Sequence, residues 1–391
     1  MEPLPLRLGA LLLLTLTVGC DHPPEQPDDT SPGSDTGPGV DTGPGECLLE
    51  RQIEGVLDAD AAVDERGRAA VAFVEAASGD LHLLRCRDGV CGSYTDTVLL
   101  DCDPSGCEYP SVAIDPEGRP LVAFMDHAAG AVRVAACDDE ACGSSTLRSL
   151  APDTGMGTDI TFGPDGLPVV SWGGLSIARC ADAACAGAVV QQLDHREGGM
   201  PAMALDAEGR PRIAAVTYDH VDGYTWVDCA IDLYVCADAA CGAVTTTRFG
   251  DCPSPVESPL GMILGADGLP LVALGRDLQI CADDACAARQ SVTLEQGFTT
   301  AVALALDPEG LPVVAYALVN EQFNDATLRV AHCRDPACAA VDIHPWETDV
   351  LDVAKAALAI AADGGGALVT TTQGERWDLH LTAWRDAECM P

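Results

Sequence analysis

Seven times along the chain an apolar run ends in an acidic turn built on glycine, and a second apolar run follows at once. The stretch Ser111-Val112-Ala113-Ile114-Asp115-Pro116-Glu117-Gly118-Arg119-Pro120-Leu121-Val122-Ala123-Phe124 shows the unit most clearly. The other copies centre on Gly67, Gly166, Gly209, Gly268, Gly310 and Gly364, so successive turn glycines lie 51, 48, 43, 59, 42 and 54 residues apart. A unit this short cannot bury its apolar faces alone and must stack on its neighbours.

Periods of roughly 40 to 50 residues, with several short strands in each, belong to blades arranged around an axis. We therefore expect an all-β fold over residues 47–391, a seven-bladed β-propeller of four-stranded antiparallel blades. The chain is 48% hydrophobic yet only 4% aromatic, so its core must be built from Ala, Val, Leu and Ile, which suit many small sheets packed face to face. Each repeat reads as strand A, the glycine turn, strand B, a variable loop, strand C, a second turn and strand D. Antiparallel order puts the A–B and C–D turns at one end of the ring and the B–C and D–A loops at the other. The irregular loops mark the second end as the place to seek a binding site.

Nineteen cysteines read as a disulfide framework in an exported chain. Six pairs sit at the same point of successive repeats: Cys86/Cys91, Cys137/Cys142, Cys180/Cys185, Cys236/Cys241, Cys281/Cys286 and Cys333/Cys338. Each encloses an aspartate two residues after its first cysteine. This reads as a hairpin turn stapled across its base, with the two cysteines at facing strand positions. Closing so short a loop contributes about 2 kcal/mol in the chain-entropy model. Zinc is the rival reading, but its cysteines stand closer in sequence and four must converge, whereas these pairs lie on separate blades. Cys102/Cys107 falls between the first two repeats, and Cys229 and Cys252 share the enlarged fourth. Trp384 occupies the place of the first cysteine of the last repeat and leaves Cys389 without a local partner. We expect the segment after Cys47 to supply the outermost strand of the seventh blade, locked by a Cys47–Cys389 bond.

Residues 1–20 carry Arg7, then the apolar stretch Leu8 to Leu16, then Thr17-Val18-Gly19-Cys20. The stretch is too short to span a bilayer and reads as a signal peptide. Its end resembles a bacterial lipobox, which implies diacylglycerol on Cys20 and a membrane-tethered mature protein. Residues 21–46 are nearly all Pro, Gly, Asp, Thr and Ser, a composition that builds no core and reads as a disordered tether. The expected location is the bacterial cell envelope, on the extracytoplasmic side, at the outer membrane or cell surface.

The Asp-x-x-Gly turns with a following Val-Ala-Asp-like strand, best seen from Val112 to Asp126, resemble NHL-type propeller repeats. Sialidase-like propellers are similar in outline, although their Ser-x-Asp-x-Gly-x-x-Trp box is missing from every blade. Sixty-one acidic residues against twenty-one basic ones leave a net charge of -40, and Lys355 is the sole lysine. Such a surface repels phosphate backbones, so nucleic acid is not an expected partner. Polar candidates for the variable end are Asp126-His127, His195, Asp219-His220, Asp222, Tyr224 and Trp226, groups able to bind a metal or stack on a sugar. Turn aspartates such as Asp115, Asp206 and Asp307 raise calcium, but a calcium loop needs more oxygens at close spacing. No cofactor or metal is expected, with Ca2+ the one alternative. No nucleophile elbow, zincin helix or phosphate loop occurs. The expectation is a monomeric binding or interaction module that takes a protein or glycan on its variable face. The alternative is an envelope glycosidase or lyase using carboxylates there.

Overall fold

The computed structural model describes residues 47–102, 106–152, 155–222, 225–252, 260–319, 326–350, 353–373 and 377–390. The expected signal peptide, lipidated Cys20 and tether lie outside the described residues. Within them are seven four-stranded antiparallel sheets, each one blade of a β-propeller. Blade 1 comprises strands A to D at Val56–Val63, Ala69–Glu75, Leu81–Cys86 and Tyr94–Leu100. Blades 2 to 6 follow in the same order, and blade 7 takes its strands A to C from Val353–Ile360, Gly366–Gln373 and Trp377–Trp384. Its strand D is Leu48–Glu54, from the other end of the chain, paired antiparallel from Leu48↔Trp384 to Glu54↔Asp378.

The core is divided among the blade interfaces. One cluster joins blades 7 and 1 through Val71, Phe73, Val369 and Leu381, and another joins blades 1 and 2 through Leu83, Val122 and Phe124. The same arrangement recurs around the ring as far as blades 6 and 7, where Leu328 and Val330 meet Leu368 and Trp384. Strand B is buried on both faces, which is why it reads as an unbroken apolar run from Pro120 to Met125 in blade 2, and blades 3 and 4 interrupt the run only with the buried Ser171, Arg212 and Thr217. Proline opens it at Pro120, Pro168, Pro211, Pro270 and Pro312, a strand position that tolerates a missing N–H.

The repetitive end is held by its own aspartates. In the first turn Gly67, at φ 69°, donates its N–H to the Asp64 carbonyl, and Asp64 Oδ1 accepts the amides of Arg66 and Arg68. Asp115, Asp206 and Asp307 accept the equivalent amides of Arg119, Arg210 and Leu311. These carboxylates are turn caps, each with an oxygen already committed.

Nine disulfides use eighteen of the nineteen cysteines. The six expected pairings are present, with 4.7 or 4.8 Å between Cα atoms. Their placement corrects the expectation of facing strand positions. The first cysteine ends strand C opposite a different residue of strand D, as in Cys137↔Ser145, Cys236↔Val244 and Cys281↔Arg289. The second stands inside the turn: Cys142, Cys241 and Cys286, like Cys91, Cys185 and Cys338, belong to no strand, and all six are buried. The reason is how the turn closes. The amides of Cys142, Cys241 and Cys286 donate to the carbonyls of Asp139, Asp238 and Asp283 three residues back, so the chain is still reversing when it reaches the second cysteine.

A left-handed backbone then turns that sulfur inward, at φ 55° for Cys91, 54° for Cys142, 52° for Cys185 and Cys241, 53° for Cys286 and 47° for Cys338. That conformation costs roughly 1 kcal/mol for an L-residue, and the crosslink together with the Asp88-type carboxylate on the next amides holds it.

Blade 7 departs from the repeat for one reason. Trp384 replaces the staple, is fully buried, and donates its indole N–H to the Gly364 carbonyl at 2.8 Å. A Cβ on Gly366 would stand 2.4 Å from the indole, so Gly366 makes the space the ring occupies, while Gly364 and Gly365 admit the close approach of Ala387 and Arg385.

Cys47 and Cys389, 5.3 Å apart at Cα, close a loop with a sequence separation of 342. The chain-entropy model gives about 4.7 kcal/mol for a 100-residue loop and more for a longer one. Replacing both by serine is expected to cost at least about 3 kcal/mol in urea titration and to release Leu48–Glu54 to rapid hydrogen exchange. Removing the Cys180–Cys185 staple is expected to cost about 2 kcal/mol and to leave that strand protected. Equal losses from the two deletions would contradict closure by the terminal bond.

Candidate functional site: the channel and the blade 3–4 cleft

The seven A strands line a central channel, whose cavity of about 330 Å³ lies in the half nearer the D–A loops. Seven residues ahead of the turn glycine, successive blades place Asp60, Ser111, Asp159, Ala202, Gly261, Ala303 and Ala357. One position thus makes the wall polar on blades 1 to 3 and small or apolar on the rest. Met200, Met203, Met262, Val302, Leu304 and Leu358 complete the apolar side. On blade 6, Thr300 Oγ1 is buried without a partner.

The polar groups bridge from blade to blade. Asp60 Oδ2 accepts the Ser111 hydroxyl at 3.0 Å and the Val112 amide at 2.8 Å. Ser111 Oγ accepts the Ile160 amide of blade 3 at 3.2 Å, and Asp159 Oδ2 accepts the Met203 amide of blade 4 at 2.5 Å. What surface these carboxylates keep faces the channel rather than bulk water. Burial pushes Asp159 up to about 7, against the pull of the Met203 amide, and the charge of Asp60 adds to the rise. Burial raises Asp60 as well.

Two residues nearer the mouth the A strands of blades 2, 4 and 6 bulge, re-aiming side chains into the opening. Tyr109 and Met200 hold this position in blades 2 and 4, and both are left-handed, at φ 53° and 48°. Lys355 holds it in blade 7, with Nζ 2.6 Å from Asp58 Oδ1 and 5.3 Å from the Tyr109 ring centroid. The only lysine of the chain is therefore committed to a carboxylate and an aromatic face at the channel mouth.

A second recess of about 620 Å³ opens between blades 3 and 4. Blade 3 joins strands B and C through only Gly173–Leu175, whereas blade 4 extends the same connection into the hairpin His220–Asp222 and Thr225–Val227. This difference in height creates the cleft. A Cβ on Gly173 would stand 2.1 Å from the Met156 amide nitrogen, so the blade 3 connection can lie flat only as glycine. Trp172 and Tyr218 floor the recess, with Val190, Gln192 and exposed His195 around it.

The sequence candidates disperse. His195 lines the cleft. Asp126 does not face a ligand: it is buried, 2.6 Å from Arg133 Nη1, and accepts the Ala129 amide to close its own turn. His127 lies apart from it, with Nε2 3.1 Å from Glu108. Asp219, half exposed, pairs with Arg196 at 3.1 Å. Arg196 also bonds Asp232 at 2.8 Å and the Asp228 carbonyl at 2.5 Å. His220, Asp222 and Trp226 stand on the blade 4 hairpin; their side chains, and Tyr224, lie outside the described residues. Sequence reasoning missed the channel wall, although the Asp, Ser, Asp series ahead of the turn glycines was there to read once the repeats were aligned.

Asp159 predicts a pH dependence. Its folded pKa is raised, so between about 3.8 and 7 the folded state binds more protons than the unfolded one, and its contribution to stability falls as pH rises through that window. Asp159→Asn removes the charge while keeping an oxygen for the Met203 amide. The variant is expected to melt above the wild type at pH 8 and to lose that advantage by pH 4. A gain independent of pH, or a loss at pH 8, would overturn the assignment.

No family model matches the chain, and no curated protein matches it. Among solved structures it is similar to an inactive variant of virginiamycin B lyase from Staphylococcus aureus with quinupristin, at TM-score 0.52 and 12% identity, over 85% of this chain and 99% of that one. It is similar to BBS1N in complex with ARL6DN, at TM-score 0.54 and 14% identity, over 86% and 97%. YCF48 bound to D1 peptide matches at TM-score 0.52 and 13% identity, over 87% and 97%. These neighbours include a lyase and partner-bound proteins, so what they share with this chain is the architecture: it is a seven-bladed β-propeller.

Proposed function

We propose that the chain is a protein-interaction module, exported and held on the extracytoplasmic side of a bacterial envelope by lipid on Cys20, which takes a protein partner on its variable face. The observation that carries this reading is the internal pairing of charge there. Arg196 is spent on Asp219 and Asp232, Arg133 on Asp126, and Lys355 on Asp58. Cations so engaged are poor clamps for an anionic substrate, whereas a recess that presents the exposed Val190 between Gln192 and His195, over the buried Trp172 and Tyr218, combines apolar area with a polar rim, the usual anatomy of a recognition surface. Export is supported by eighteen cysteines in disulfides, a pattern of oxidising compartments.

A second reading, an envelope glycosidase or lyase, has one observation in its favour: Asp159 titrates near neutral pH inside the channel. Turnover of an envelope glycan that Asp159→Asn abolishes while the fold persists would favour the enzyme.

Photo-crosslinking separates the faces. A crosslinker at Gln192 or His195 in the full chain, expressed in its own envelope, is expected to give a discrete protein adduct, and one at Glu208 on the stapled end is not. Equal labelling from both ends would remove the variable face from consideration. Anchoring has its own test: wild-type protein should incorporate labelled fatty acid and partition with membranes, and Cys20→Ser should do neither. Unchanged labelling in the variant would end the lipoprotein reading.

A further inference from the structure

On blade 1 the connection between strands B and C carries a cluster that belongs to neither the channel nor the cleft. Glu75 ends strand B, Asp80 precedes strand C, and His82 is the second residue of strand C. One carboxylate oxygen each from Glu75 and Asp80 and one ring nitrogen of His82 lie within 4.8 Å of one another. The ring is held from two sides. It stacks on Phe73, with centroids 4.9 Å apart and planes at 20°, and its Nδ1 lies 3.0 Å from Asp96 Oδ1 on strand D. With a carboxylate on Nδ1, the neutral ring carries its proton there and presents Nε2 as an electron pair. Nε2 is sealed from solvent and has no hydrogen-bond partner.

The carboxylates are oriented in the same fashion, each through one oxygen. Glu75 Oε2 accepts the Ser78 hydroxyl at 2.5 Å, and Asp80 Oδ1 accepts the Cys102 amide at 2.9 Å. The Cys102–Cys107 bond fixes the segment that donates to Asp80. Each side chain therefore keeps one donor atom outside these bonds, and around a single zinc ion donor atoms stand about 3.3 Å apart, closer than the 4.8 Å that bounds this cluster.

We propose that Glu75, Asp80 and His82 form a mononuclear site for a divalent transition-metal ion of the Zn2+ class, with Asp96 as the outer partner that orients the imidazole. One nitrogen and two oxygens match the borderline and hard donors such ions accept, and three protein ligands leave a position for water. The competing account is a protonated imidazole held by its carboxylates with no ion.

The test uses the full oxidised chain, alkylated to block Cys20 and stripped with EDTA, titrated with Zn2+ under calorimetry and in thermal melts. The expected result is one saturable site and a melting temperature that rises with Zn2+. His82→Ala and Glu75→Gln should each abolish the saturable site. Asp96→Asn should weaken it about 10- to 100-fold, the usual loss for an outer-shell partner. Glu208→Gln, on the stapled end, should bind as the wild type does. If His82→Ala fails to fold, by circular dichroism, Glu75→Gln and Asp96→Asn still decide the matter. No saturable binding by folded wild type, unchanged binding in Glu75→Gln, or displacement of Zn2+ by equimolar Ca2+ would each overturn the proposal.

Discussion

The pairing of Leu48–Glu54 with Trp377–Trp384 is the contact on which the remaining architecture depends. No blade owns a core: the apolar clusters lie between blades, so each sheet is stable only while both neighbours are present. A linear array of such units would leave two raw faces, one on blade 1 and one on blade 6. Building blade 7 from both ends of the chain covers both faces at once and leaves no terminal blade to cap. The weakness is that the last strand comes from a terminus, where strands fray most readily. The Cys47–Cys389 bond and the indole of Trp384 under the glycine run are placed against that event.

The excess of negative charge becomes tolerable through the turns. A net charge of -40 repels itself in a compact ring, yet much of the acid is also structure. Asp88, Asp139, Asp182, Asp238, Asp283 and Asp335 accept amides inside the stapled turns, and the amides of Ala288 and Ala287 hold Asp283 below the usual carboxylate range. A carboxylate that must stay ionised to keep its hydrogen bonds stabilises the fold above its unfolded pKa and loses that effect in acid. Asp159 works in the opposite sense, so stapled end and channel respond to acid with opposite signs.

Blade number, strand order and the six staple pairings were legible because each rests on residues close in sequence, whereas the Cys47–Cys389 bond was legible only because Cys389 lacks a local partner. A glycine at positive φ must sit in the A–B turn, and two cysteines around an Asp-containing turn have little choice of partner. The backbone of the staple was not legible, since a spacing cannot say that Cys142, Cys241 and Cys286 sit left-handed within the turn rather than across from their partners. The odd last repeat was legible through what it lacked, a first cysteine replaced by Trp384, and Gly366 is the position that gives its ring room. The candidate site was hidden because it is a property of the ring. Asp60, Ser111 and Asp159 are about fifty residues apart in sequence and become one network only when three blades stand side by side. Asp126 and His127 part because strand B ends between them: Asp126 turns inward to Arg133, and His127, the first residue of the turn, pairs with Glu108. Glu75, Asp80 and His82 converge across a turn, from strand positions that share a face.

The two ends of the ring divide the labour that these constraints leave over. At the stapled end, Arg68 reaches Glu140 of the next blade, and Arg212 reaches Asp284. These contacts tie the A–B turn of one blade to the C–D turn of its neighbour, and every turn has nearly the same length. Nothing there can vary without unpicking a staple or a bridge. At the other end, loop length is free, because the blades already cohere without it. Blade 3 joins strands B and C through three residues and blade 4 through a hairpin, and that one difference in height makes a cleft beside the channel. The stapled end is thus held to one geometry while the loops of the other end differ in length, and loops that vary on a rigid scaffold are where binding residues are usually found.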